Sequence, residues 1–311
     1  DFSLNATFNI GHNKNKIDKL ASGEKEWILT SAWRNDVVNS DDYRAYVGGT
    51  SGLIYGYVND GFYTVADFES FDSKSRTWKL KEGVVDSSPL SDTPRPGNAK
   101  FKKLTPVDPN STNPYQLTEA DRTVIGNTTP KFSGGFGLNA TYKGFDMSMF
   151  FNFMYDFDVL NANKIMLTTW ADNKENNFLM DIASDKRWRN FDDMGNEIRY
   201  SPEVLAEFNK NATMWNPTSI GRPICMSYAV EDGSFLRLNS ATLGYTLPSV
   251  WTKKVGLSKV RFYVSGNNLF TLTGYSGYDP EVNIATGLTP NIDYNRYPRS
   301  RTYTFGAQLT F

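Results

Sequence analysis

Between Phe132 and Tyr155 the chain alternates apolar and mostly polar residues over two runs long enough to cross a bilayer as tilted strands. In Phe132–Tyr142 one side of an extended strand carries Phe132, Gly134, Phe136, Leu138, Ala140 and Tyr142. The other side carries Ser133, Gly135, Gly137, Asn139 and Thr141, because strand side chains alternate with a period of two. Lys143-Gly144 reads as a two-residue hairpin turn. The phase then restarts, with Phe145, Met147, Met149, Phe151, Phe153 and Tyr155 opposing Asp146, Ser148, Phe150, Asn152 and Met154. At the chain's end Tyr303, Phe305, Ala307, Leu309 and Phe311 oppose Thr302, Thr304, Gly306, Gln308 and Thr310. At its beginning Phe2, Leu4, Ala6, Phe8 and Ile10 oppose Ser3, Asn5, Thr7 and Asn9. None of these four apolar faces carries a charge. On the lipid side of a membrane barrel an Arg or Lys at mid-bilayer costs roughly 2–4 kcal/mol. A soluble sheet covered by a second layer would avoid charge too, so alternation alone leaves both arrangements open.

Composition separates function classes more than folds. The 311 residues carry a net charge of −1, and no basic stripe points to nucleic acid. Mean hydropathy of −0.49 suits a barrel as well as a soluble protein, since only alternate strand residues would meet lipid. No run of about 18 apolar residues exists, so no transmembrane helix is expected. Cys225 is the one cysteine, which excludes an internal disulfide. His12 is the one histidine, which excludes a multi-histidine metal site, and a Ser-His-Asp triad unless His12 is its base. The adjacent pairs Asp41-Asp42 and Asp192-Asp193 would point apart in strand geometry, and Gly134-Gly-Phe-Gly137 lies inside a strand rather than before a helix. No catalytic residue, metal site or cofactor is expected, and the chain is read as not an enzyme.

Six strands are predicted, at about 2–10, 131–142, 145–156, 234–247, 259–271 and 300–311. In the fourth, Ala241, Leu243, Tyr245 and Leu247 keep one phase while Leu236 and Leu238 sit in the other. The fifth is ambiguous, with a bulge considered at Gly266. Long connections follow strands one, three and five, and short ones follow two and four. Outer-membrane barrels sort their loops this way, with long loops extracellular and short turns periplasmic. That sorting places Phe311 at the periplasmic rim. Ser201–Lys210 is predicted to form a short helix inside the second long loop, with Ser at the cap and Pro at its first position. Six strands are too few to enclose a lumen, and the chain starts mid-strand without a signal peptide. The whole of 1–311 is therefore expected to be the C-terminal portion of a larger barrel.

The last third carries a family resemblance. Glu231-Asp-Gly-Ser-Phe-Leu-Arg-Leu-Asn-Ser-Ala-Thr-Leu-Gly-Tyr-Thr-Leu-Pro248 resembles a segment of SusC/RagA-type TonB-linked outer-membrane transporters. Val260–Phe270 and Tyr275-Ser-Gly-Tyr-Asp-Pro-Glu-Val282 resemble the family's next strand and the loop after it. Upstream, Tyr55–Tyr63, Asp121–Asn127 and Pro130–Phe132 are similar as well, in the family's order. The resemblance implies an all-β fold: a transmembrane barrel of about 22 antiparallel strands, of which this chain supplies about six. It also implies a plug and a TonB box, neither present here, a SusD-like lipoprotein lid, and import of oligosaccharides or peptides. Partners would be that lid, TonB through the missing N-terminal part, the rest of the barrel and outer-membrane lipid. One departure is Thr105–Tyr115, which lacks the glycines of a tight calcium loop although Asp108 and Asn110 offer oxygens.

Within that frame, loop aromatics and basic residues are the candidates for touching substrate or lid: Trp170, Trp188, Trp215, Tyr228 and Arg222. Arg237, near the top of the fourth strand, is a further candidate for the lumen. Tyr303, Phe305, Leu309 and Phe311 are expected to close the barrel and signal its assembly, and Trp251 to anchor the periplasmic interface. The rival reading is a soluble β-rich glycan-binding module whose aromatic faces meet between two sheets.

Overall fold

The computed structural model describes residues 2–31, 33, 41–169, 177–221, 223–284 and 287–311. Six strands form one antiparallel sheet in which every neighbour in sequence is a neighbour in space. They are β1 (Phe2–Gly11), β2 (Phe132–Tyr142), β3 (Phe145–Tyr155), β4 (Phe235–Thr246), β5 (Lys259–Thr273) and β6 (Thr302–Thr310). The β2–β3 turn has Lys143 at φ 46° and Gly144 at φ 89°, the left-handed pair that matches strand twist in a two-residue hairpin.

Register carries the apolar faces across the sheet as one surface. Phe8 pairs with Phe136, which pairs with Phe151; the last two rings stack at 4.5 Å. Leu138 meets Met149, which meets Ala241, and Val264 meets Phe305. The mixed phase of the fourth strand is resolved by a bulge. Phe150 lies opposite Ser240 while Phe151 lies opposite Leu238, so Asn239 is an extra residue. One extra residue turns the strand by one step of its two-residue period, and Leu236 and Leu238 thereby join Ala241, Leu243 and Tyr245 on the same face. In β5 the irregularity falls at Asn268 (φ 52°), not at Gly266. It keeps Phe262, Val264, Phe270 and Leu272 on that face as well.

The apolar face has no covering layer among the described residues. Phe305 is 81% exposed and Phe8 67%. The four buried apolar clusters draw on the loops and on the opposite face of β4, and none includes a residue of this surface. In water, each large side chain left out forfeits roughly 1.5–3 kcal/mol of burial. A continuous exposed surface of this kind marks a membrane or protein contact, and the described residues form no second sheet facing it. No helix among the described residues is long and apolar enough to cross a membrane.

The three long connections fold together at one end of the sheet. Glu26–Thr30, Asp41–Tyr46, Leu53–Gly56 and Thr123–Asn127 form a four-stranded sheet within the first. Asp158–Asn161 pairs with Val230–Asp232 from the second connection and, in parallel, with Ile292–Asp293 from the third. One buried cluster, including Tyr43, Ile54, Leu160, Ile165, Cys225 and Ile292, holds all three together. We call this assembly the canopy. The expected helix is present as Pro202–Phe208 behind Ser201, but the Ser201 side chain makes no cap hydrogen bond; Pro at the first position and buried Leu205 hold it instead. At the sheet's other end Trp251 is exposed on the short helix Ser249–Thr252, beside exposed Val250 and Val255.

Candidate functional site: inner wall, rim and canopy

The face opposite the apolar one is polar. Across the strands run Asn5 and Asn139, then Ser148, Thr242, Ser265 and Thr304, register partner to register partner. Thr242 and Ser265 share a hydrogen bond of 2.7 Å. Arg261 on β5 reaches across β4 to Asp146 on β3, donating from Nε at 2.9 Å and from Nη2 at 2.5 Å. The crossing passes over Gly244, where a Cβ would stand 2.4 Å from the guanidinium. Glycine is needed there for close approach, not for backbone freedom. Phe150, the large ring on this face, lies over Gly135, whose Cβ position is 3.0 Å from that ring. The Gly134–Gly137 run is thus explained by packing.

Where β4 and β5 enter the canopy, a buried ionic network joins two of the segments that carry the family resemblance. Arg237 is 2% exposed. It donates from Nη2 to Asp279 at 2.5 Å and its Nε lies 2.9 Å from Glu281, which is 3.2 Å from Arg299. Burial pushes the Asp279 carboxyl up, but Arg237 and the backbone N–H groups of Glu281 and Arg299 outweigh it and hold the group below the usual carboxylate range. Next to it, Tyr275 donates to Asp293 at 2.7 Å. Desolvation by burial raises both groups, with neighbouring carboxylates adding to it; at Asp293 the hydrogen bonds from Tyr275 and Asn163 offset only part of the rise. Glu231 accepts from Asn161 and Ser276 and lies 3.6 Å from Lys164. One rim network therefore ties β4 to the second and third loops.

A second buried acid organises the first loop. Asp121 accepts from the backbone N–H groups of Leu104, Thr105 and Thr118 and from the hydroxyls of Thr105 and Thr118. Desolvation raises its pKa, yet these donors together hold it well below the ordinary carboxylate value. The next residue, Arg122, lies 4.6 Å over the Tyr55 ring, and Gly56 lets Cys225 approach so closely that a Cβ would stand 2.4 Å from its carbonyl oxygen. Replacing Asp121 by Asn turns an acceptor into a donor facing those N–H groups and should cost about 1–3 kcal/mol. The depressed folded pKa means that the stabilisation is fully present above the unfolded value of about 3.9. It is lost as pH falls through the folded value. Melting of wild type and Asp121→Asn should therefore converge on acidification; a gap that persists at low pH would refute the assignment.

No protein-family model matches the chain. TonB-dependent receptor P3 of Formosa agariphila is 32% identical over 317 aligned residues that include all of this chain. TonB-dependent receptor SusC of Bacteroides thetaiotaomicron is 38% identical over 88 residues, 27% of the chain. The chain belongs to the SusC/RagA-type TonB-linked outer-membrane transporters. It spans 27% of the length of receptor P3. The fold agrees. A solved structure of the RagAB peptide transporter matches all of the chain and 27% of its own chain, with a TM-score of 0.62 at 22% identity.

In this SusC/RagA-type chain the candidate contact residues do not form one site. Trp170 and Arg222 lie outside the described residues. Trp188 and Trp215 are each 2% exposed. Trp188 packs edge-on to Phe62 and against Gly97, and Trp215 against Tyr228 at 4.8 Å. Long loops must bury something to hold their shape, and the largest rings do that here. Tyr228 is half-buried, under Lys164 at 4.3 Å from its ring, with its hydroxyl 3.4 Å from Asp181; burial and that acid push its pKa up. Arg237 is buried in the rim network rather than open to a lumen. Tyr303, Phe305 and Leu309 project from the apolar face of β6, with Phe311 exposed just beyond it. Sequence reasoning missed Asp121 as a hub, although the Thr118-Glu-Ala-Asp121 capping pattern was a signal for it.

Proposed function

We propose that this chain forms wall strands and canopy of an outer-membrane nutrient importer driven by TonB. In this reading the canopy is extracellular, Phe311 sits at the periplasmic rim, and a SusD-like lipoprotein closes over the loops. The observation that carries it is the sheet's two-faced register: an exposed apolar surface on one side and a polar wall on the other, with the buried apolar clusters of the described residues at one end. Oligosaccharides or peptides are the cargo classes. Transport needs no covalent chemistry from these residues, so the chain's part is passive: wall, entrance and closure. Tyr303, Phe305, Leu309 and Phe311 would present the closing strand to lipid and to the assembly machinery, and Tyr228 keeps the exposed edge suited to substrate or lid. The test is uptake of labelled oligosaccharides and oligopeptides by cells carrying the full-length receptor. Uptake of one class should vanish when TonB or the lipoprotein is removed. Uptake that persists without TonB would end this reading.

A further inference from the structure

Two adjoining clefts open in the canopy, and their chemistry is unlike that of the wall. The first, about 200 Å³, is lined by Arg76, Arg95 and Arg199 together with Trp78 and Tyr200, and no carboxylate lines it. The second, about 460 Å³, shares Arg199 and Asn190 with it and adds Arg187 and Arg189, but also the carboxylate of Asp192. Arg95 lies 3.2 Å from Asp92 and Arg199 2.6 Å from Glu197, but both acids stand outside the first cleft. Arg76 has no acidic partner among the described residues.

Two of these guanidinium groups, Arg76 and Arg199, are held in place by rings, and Arg95 by Asp92. Arg76 sits at φ 56°, a left-handed backbone that a non-glycine residue adopts at a cost of roughly 1–2 kcal/mol. It lies 4.8 Å over the Tyr200 ring, which itself stacks on Phe71 at 6.1 Å. Arg199 lies 5.5 Å over Phe191 and 5.7 Å from Tyr200. Stacking orients a guanidinium without using up its N–H donors. Two stacked forks and the Arg95 guanidinium around a small hollow, with two aromatic side chains as apolar lining, favour a planar anion that accepts two hydrogen bonds at once.

We propose that this cleft is a binding subsite for a carboxylate group carried on a small, partly apolar unit. A peptide C-terminus and a uronic-acid unit of a glycan share that chemistry. The binding claim stands on the cleft alone; only its assignment to cargo rests on the import reading.

The test is calorimetric titration of the full-length receptor in detergent with four probes. They are tetra-alanine, tetra-alanine amide, a galacturonic-acid trisaccharide and its methyl ester. One acid should bind, and its neutral counterpart should bind at least tenfold more weakly; which pair responds identifies the source. Arg76→Gln and Arg95→Gln should each weaken that acid by about 10–100-fold, the range for losing a charge-assisted hydrogen bond. Lys74→Gln, in the turn that joins the paired strands Phe68–Asp72 and Thr77–Leu80 and also carries Arg76, should leave binding unchanged, and melting should show all three variants folded. The proposal is overturned if neither acid binds by about 1 mM, if acid and neutral forms bind alike, or if the arginine variants bind as wild type. Calorimetry needs neither TonB nor lid, so failure here leaves the import reading standing, and failure of TonB dependence leaves the cleft standing.

Discussion

Arg237→Ala should destabilise the canopy by about 3–5 kcal/mol, the range for removing one partner of a buried ion pair. The substitution leaves Asp279 and Glu281 in their buried places without the guanidinium that faces both. Most of the cost is therefore the desolvation of the Asp279 carboxylate, since Glu281 keeps Arg299 at 3.2 Å. Arg237→Lys retains the charge but cannot present a fork to both acids, so it should fall between wild type and alanine. The strands gain little from this network, so the barrel should still insert while segments 156–234 and 274–301 become open to protease. Limited proteolysis and melting of the purified receptor measure this. Unchanged loop resistance in Arg237→Ala would show that the network does not hold the canopy.

Met149→Arg should impair insertion, whereas Ser148→Arg one residue away should not. Met149 lies on the apolar face between Leu138 and Ala241, near the middle of β3, while Ser148 faces the polar side beside Thr242. An arginine at mid-bilayer on a barrel's outer face costs about 2–4 kcal/mol, and nothing comparable opposes one in a wet interior. The yield of heat-modifiable receptor in outer-membrane fractions measures the difference. Equal yields for the two variants would mean that the apolar face does not meet lipid, and the wall assignment would fall with it.

The strands were legible because their signal is local. Alternation in Phe132–Tyr142, the turn at Lys143-Gly144 and the sorting of loop lengths need no knowledge of partners. The bulge at Asn239 was half-visible, as a phase change between Leu238 and Ala241, yet its cause lies in the register against β3. A period-two pattern cannot say whether a strand changes face or gains a residue.

The candidate contacts read less well. A tryptophan in a long loop looks the same in sequence whether it meets a ligand or fills a core, and Trp188 and Trp215 fill cores. The arginines of the canopy cleft come from positions 76, 95 and 199, too far apart for any spacing rule to join.

By itself the sequence determined the two-faced sheet, the order of its six strands and the family, because hydrophobic period and short motifs are properties of neighbours in the chain. Only the tertiary structure decided that Arg237 meets Asp279, that Asp121 anchors the first loop, and that the cleft's guanidinium groups face one hollow. Those are contacts between segments whose meeting is set by burial and close packing across distance, and no local pattern records which partner a buried charge will find.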